Sequence, residues 1–299
     1  MVENRPKSRR PLNPSFASFS QLSEQAVTIR RYMATTAGLT EVVLYDTLVN
    51  YLVSMARTVE GAMNRALDAI VSLENPRTGV LPGEVFLLEP RINEMEIVID
   101  EHAIRLLRRG SFSDDEMRLI VAALKITNDL ERIGDIAVNL AERVVSLREM
   151  QGAQIPEELA PMASAVRAMV SKSLGALIFR NLEMATQVLE SDDVVGQYRD
   201  RIFEKLLQHM PQEPKLVSPG MQFILATRHL ERIADHATNI AEDIIFWVRG
   251  LDVRHGRGLA VRPGQSDQLD SSFAADSALT ENSHVLHSGV TAACDTERA

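Results

Sequence analysis

Three Glu-x-x-x-Asp pairs stand in this chain: Glu96 with Asp100, Glu131 with Asp135, and Glu231 with Asp235. On a helix, positions three and four apart share a face, so each pair sets two negative charges about one turn from each other. Like charges at that spacing repel and weaken the helix that carries them. Something positive must answer them. It is either an arginine or a divalent or trivalent cation, for which clustered carboxylate oxygens are natural ligands. One such pair alone is ordinarily a solvated face, and Arg132 and Arg232 are at hand as partners. Here the pattern is duplicated in frame. Leu130-Glu131-Arg132-Ile133-Gly134-Asp135 returns as Leu230-Glu231-Arg232-Ile233-Ala234-Asp235. Ala137, Asn139, Ala141 and Glu142 return as Ala237, Asn239, Ala241 and Glu242, all at the same offset. The stripes Glu131, Asp135, Asn139 and Glu231, Asp235, Asn239 are therefore candidate cation sites, with Glu96 and Asp100 in support.

Other chemistries find little footing. No Gly-x-x-x-x-Gly-Lys-Ser/Thr phosphate loop is present. A single cysteine, Cys294, excludes an intramolecular disulfide and a thiolate zinc site. The histidines are scattered; His229 and His236 flank the second stripe and could be ligands, but a satisfied or exposed histidine is the simpler reading of each. The helical segments lack the Glu-x-x-His pair of di-iron bundles, which counts against a carboxylate-bridged metal oxidase. A binding protein is expected, not an enzyme.

Helices must position the stripes. Proline breaks helix interiors, and the prolines fall in clusters at Pro76, Pro82, Pro90 and at Pro211, Pro214, Pro219. The spacing predicts helices over 39–74, 94–109 and 114–150, then over 161–189, 193–209 and 219–249. Ser113 with Glu116 forms a capping box ahead of the third. Ile126, Leu130, Ile133, Ala137, Leu140, Val144 and Leu147 then alternate steps of three and four, an apolar seam beside the acidic stripe. In the second helix Ile97, Glu101, Ile104 and Arg108 follow the same period. Each half reads long-short-long. The fold expected is all-α, two tandem three-helix bundles related by an internal repeat, six long and short antiparallel helices in all. The bundles are placed at 39–150 and 151–255. Residues 1–38 form a basic N-terminal extension, mostly disordered apart from a weak helix near 21–37, and 256–299 a disordered tail. Met55, Met63, Met95, Met117, Met162, Met169, Met184 and Trp247 are expected in the core.

The totals agree. Aromatic residues make up 5% and hydrophobic residues 45% of the chain, a balance that leans towards helix rather than strand. A formal net charge of -9 disfavours a general grip on nucleic acid or broad docking on an anionic membrane. Arg5, Lys7, Arg9 and Arg10 are followed by no apolar run, so no secretory signal is expected. Nor is any membrane-spanning helix.

At these residues the chain resembles the PhoU family of phosphate-transport accessory proteins. The motif beginning at Leu130, its copy at Leu230 and Met95-Glu96-Ile97-Val98-Ile99-Asp100-Glu101 carry the resemblance, and Val248 to His255 looks like the family's end signature. The match covers roughly 40–255. It implies a cytoplasmic homodimer that negatively regulates phosphate uptake and the phosphate-starvation response. Its partners would be the ATPase subunit of the phosphate transporter and a membrane sensor histidine kinase. It also implies multinuclear iron or zinc on Glu131, Asp135, Glu231 and Asp235, with Glu96 and Asp100 supporting. Three departures stand out. The terminal extensions are long, the connection Asn75 to Pro90 is proline-rich, and the second short helix carries Asp193 and Gln197 where an acidic pair is expected. Two rival readings are a metal-binding bundle with an oxidase or storage role and a purely structural helical adaptor.

Overall fold

The computed structural model describes residues 39–254 except 109 and 111. The expected disorder of the two termini and the weak helix near 21–37 lie outside those residues. The described residues contain seven α-helices and no strand: α1 (Leu39–Ile70), α2 (Leu81–Leu107), α3 (Asp114–Glu149), α4 (Leu159–Phe179), α5 (Leu182–Leu189), α6 (Asp192–His209) and α7 (Val217–Arg249). Short 3-10 turns at Pro76–Thr78 and Pro214–Leu216 use two of the proline clusters.

The first helices pack on one another as a three-helix bundle, α1 on α2 and both on α3. In the second half α4, α5 and α6 all pack on α7. The two sets meet chiefly along α3 and α7, and α1 also touches α4. Arg143 Nη1 donates to Gln222 Oε1 (3.1 Å), and Lys125 Nζ lies 3.5 Å from Asp243 Oδ1. As the number falls on α3 it rises on α7, so the two helices run antiparallel. That register sets Ile133 about level with Ile233, the middle of the duplicated motif, so the pairing is pseudo-twofold.

The seam predicted for α3 is buried along its whole length, from Ile126 to Leu147, and its capping box is formed: Ser113 N–H donates to Glu116 Oε2 at 2.7 Å. Three expectations need correction. First, α2 begins at Leu81 rather than near residue 94. Pro82 sits in the first turn, where a missing N–H costs nothing, and Pro90 lies inside the helix on an exposed face. Its buried line is Ile92, Ile99, Ala103 and Leu106; Ile97 and Ile104 face outward at 59% and 49% exposure. Second, the helix expected over 161–189 is two helices. Arg180 adopts a left-handed conformation (φ 49°, ψ 42°), and Asn181 caps the next helix by accepting from Met184 N–H at 3.1 Å. The apolar period runs through the break because Ala185 and Val188 resume the core. Third, Met117 is exposed and Met95 and Met184 are half-buried, whereas Met55, Met63, Met162, Met169 and Trp247 are core.

The helix α4 is long and apolar enough to cross a membrane by length and composition, and 61% of that apolar window is buried inside the protein. Its apolar surface is spent on α7 and its neighbours, as in a core helix.

Candidate functional site

The first acidic cluster is built by α2 and α3. Gly134 lets the helices approach closely: a Cβ at that position would stand 3.1 and 3.3 Å from two side-chain carbons of Ile92. The approach places Glu96 of α2 within electrostatic reach of Glu131 and Asp135 of α3, with Asp100 acting on Glu96 from the next turn of its own helix. The Glu131 carboxyl is pushed up from near 4.5 to about 7, first by burial, then by the charge and hydrogen bond of Asp135 and by Glu96, with Arg132 opposing. Glu96 is raised too, by burial and by Asp100 and Asp135, against the pull of Arg132. Arg132 lies 3.5 Å from an oxygen of both Glu131 and Asp135, and its side chain is half exposed. Glu96, Glu131 and Asp135 therefore share one loosely placed surface arginine.

The second cluster lies between α6 and α7, around a pocket of about 320 Å³ lined by Asp192, Gly196, Arg199, Asp200, Glu231 and Asp235 among others. At the offset of the repeat, Gly196 and Asp200, rather than the expected Asp193 and Gln197, correspond to Glu96 and Asp100, so the acidic pair is half lost and Asp192, one turn earlier, stands in. Asp235 is raised by burial, Asp192 and Glu231, with His236 and Arg228 opposing; Asp192 is raised by burial, Asp193 and Glu231. Glu231 is not a free ligand. Arg199 of α6 bonds its Oε1 and Arg228 of α7 bonds its Oε2 at 2.7 Å.

The asparagines diverge. Asn139 turns its amide to the backbone carbonyl of Asp135 at 2.9 Å, while Asn239 donates to Asp129 Oδ1 at 3.1 Å across the α3–α7 seam. His236 Nδ1 lies 2.8 Å from that same oxygen. A carboxylate offers only lone pairs, so both partners donate to it. Asp129 and Asp243 are buried, at 7% and 3% exposure, and sequence reasoning passed over both, as it did Arg199, Arg228 and Asp192. One signal was available. At the repeat offset Arg199 stands opposite Ile99, Arg228 opposite Asn128 and Asp192 opposite Ile92, so the second half changes charge at three places.

Iron or zinc is the group the fold family implies. Among the described residues no three His, Cys, Asp or Glu side chains already converge on a common ligand position. The donor chemistry of the first cluster fits a hard or borderline cation, because the carboxylates of Glu96, Glu131 and Asp135 carry more negative charge than Arg132 answers. Glu96, Asp100, Glu131 and Asp135 are the residues that would hold it. The second cluster fits less well, since Arg199 and Arg228 already answer the charge of Glu231.

Glu131→Gln is expected to stabilise the metal-free protein at pH 8 and to do nothing at pH 4. The sign follows from the raised carboxyl: the folded state keeps its proton, so the favourable contribution is whole below about 4.5 and is lost as the pH rises through about 7. Solvent screening limits the gain to about 1 kcal/mol, ~2–4 °C in melting temperature. Equal melting shifts at both pH values would contradict the assignment.

The geometry defines a class: a tandem-repeat helical bundle whose paired motifs build acidic surface clusters and no catalytic constellation among the described residues. The comparisons place it further. The model of the PhoU domain matches residues 52–144 and 159–244, and the chain belongs to that family. It is similar to the phosphate-specific transport system accessory protein PhoU homolog of Pseudomonas aeruginosa, 35% identical over 207 residues that cover 69% of this chain and 84% of that one. Its counterpart in Pseudomonas putida is 34% identical, with 69% and 79% covered. The crystal structure of PhoU from Pseudomonas aeruginosa superposes with a TM-score of 0.66 at 33% identity, over 70% of this chain and 99% of that one. That of the phosphate transport system regulatory protein PhoU from Streptococcus pneumoniae gives 0.63 at 22% identity, over 70% and 97%, a likeness of fold.

Proposed function

We propose that this chain is a negative regulator of phosphate uptake and of the phosphate-starvation response. It acts in the cytoplasm as a homodimer, by binding the phosphate transporter's ATPase subunit and a membrane sensor histidine kinase, and not by catalysis. The observation that carries this reading is that both tandem domains match one family whose curated relatives are named phosphate-specific transport accessory proteins. The helices offer rigid surfaces on two similar bundles, suited to meeting two partners. The first acidic cluster, Glu96, Asp100, Glu131 and Asp135, would take iron or zinc, and the ion would offset a repulsion already present in the fold. The oxidase alternative gains nothing from the geometry, because His229 and His236 do not complete a ligand group with the carboxylates.

The test is a deletion strain carrying a phosphatase reporter under starvation control. Without the gene, reporter activity should stay high in phosphate-rich medium, and the intact chain supplied in trans should restore repression. Normal repression in the deletion strain would end this reading.

A further inference from the structure

The two acidic stripes are equivalent by sequence, yet they are answered differently. Around the first, the residues at the positions of Arg199 and Arg228 are Ile99, which is buried, and Asn128. Neither carries charge, and Arg132, half exposed, lies 3.5 Å from both Glu131 and Asp135. Around the second, two guanidinium groups from two helices close on one carboxylate. Arg199 comes from α6, where it also holds Asp200 at 2.7 Å, and Arg228 comes from one turn earlier on α7. Glu231 is nearly as sheltered as Glu131, with side-chain exposures of 18% and 16%, so the difference is not one of burial. Nor is the loss of a glutamate at Gly196 forced by packing: a Cβ there would meet nothing within 4 Å.

We infer that Arg199 and Arg228 are a built-in counter-charge that replaces a metal ion at the second stripe, so that cation binding by this chain is confined to Glu96, Asp100, Glu131 and Asp135. This rests on the reading of the first cluster as a cation site. Arginine–carboxylate forks are directional and well fitted to a carboxylate pair of oxygens. A metal at Glu231 would stand beside two guanidinium groups that already neutralise the carboxylate and repel a second cation. In the first half the positions of those two arginines carry no charge. The duplicated motif has thus kept its electrostatic balance in both copies, with an ion in one and two side chains in the other, and Arg199 ties α6 to α7 permanently where a cation would tie α2 to α3 conditionally.

Two measurements on the full chain test this. The first uses no metal. Arg199→Gln with Arg228→Asn should lower the melting temperature by several degrees, and adding Glu231→Gln should recover most of that loss, because the repulsion is removed with the carboxylate. Failure of Glu231→Gln to rescue would overturn the counter-charge. The second loads protein with zinc, desalts it and measures zinc by elemental analysis. Asp135→Asn should lose the bound zinc and Asp235→Asn should keep it. Gly196→Glu with Arg199→Gln and Arg228→Asn rebuilds the charge pattern of the first stripe and should about double the content. A drop in Asp235→Asn, or no gain in the triple variant, would overturn the inference. Zinc absent from the wild type but present in the triple variant would refute the first-cluster reading alone and uphold the role of the two arginines.

Discussion

Trp247→Ala should lower stability by about 3–5 kcal/mol, near the upper end for a single core truncation. Trp247 is 2% exposed, close to the end of α7, and is among the largest fully buried side chains of the protein. Its indole N–H has no acceptor among the described residues, so the loss is one of packing rather than of hydrogen bonding. The guanidinium of Arg180 lies 4.3 Å from the ring, adding a cation–π contact of roughly 0.5–2 kcal/mol. That contact matters beyond its size, because Arg180 is the left-handed residue that separates α4 from α5. Removing the ring takes away a restraint on a conformation that a non-glycine residue adopts at a cost of about 1 kcal/mol or more. A melting temperature lower by about 10 °C is expected, and Trp247→Phe, which keeps a ring in place, should lose less than half as much. A shift under 2 °C for the alanine variant would show that the site collapses without cost.

Asp129→Ala should cost about 2–3 kcal/mol, with Asp129→Asn milder. The carboxylate is buried on α3 and accepts from two side chains of α7, His236 at 2.8 Å and Asn239 at 3.1 Å. Alanine leaves both donors without their acceptor in a sheltered seam, and that unmade hydrogen bonding is the larger part of the loss. Asparagine retains an oxygen able to serve Asn239. Chemical denaturation of the three proteins measures the effect; equal midpoints for alanine and asparagine would mean that the seam is hydrated and the acceptor unimportant.

The sequence pattern was legible where one helix alone decides the outcome. The α3 seam from Ile126 to Leu147 and the Ser113 cap depend only on local spacing, and both are present. Pro90 misled because a proline on an exposed face loses one hydrogen bond and no packing, so α2 runs through it. Arg180 misled in the other direction: nothing about an arginine signals a left-handed turn, and its place against Trp247, far along the chain, is not visible in local spacing. Ile97 and Ile104 match a helical period, but their line also carries Glu101 and Arg108, and the line that is buried runs through Ile92, Ile99, Ala103 and Leu106. The acidic pairs were legible from spacing and duplication. Their answer was not, since Arg199 meets Glu231 only because α6 packs on α7.

The antiparallel crossing of α3 and α7 also bears on the order in which the molecule assembles. Helices inside each bundle are near neighbours in the chain, whereas Asp129 meets His236 and Asn239 across separations of 107 and 110 residues. Closing so long a loop carries the larger entropic barrier, so short-range docking within each half comes first and the seam zips last. Interactions made after the rate-limiting step change how long the native state lasts rather than how quickly it is reached. Asp129→Ala should therefore hasten unfolding while leaving the refolding limb of a chevron plot almost where it was. The polar seam then serves as a clasp that sets the lifetime of the joined halves.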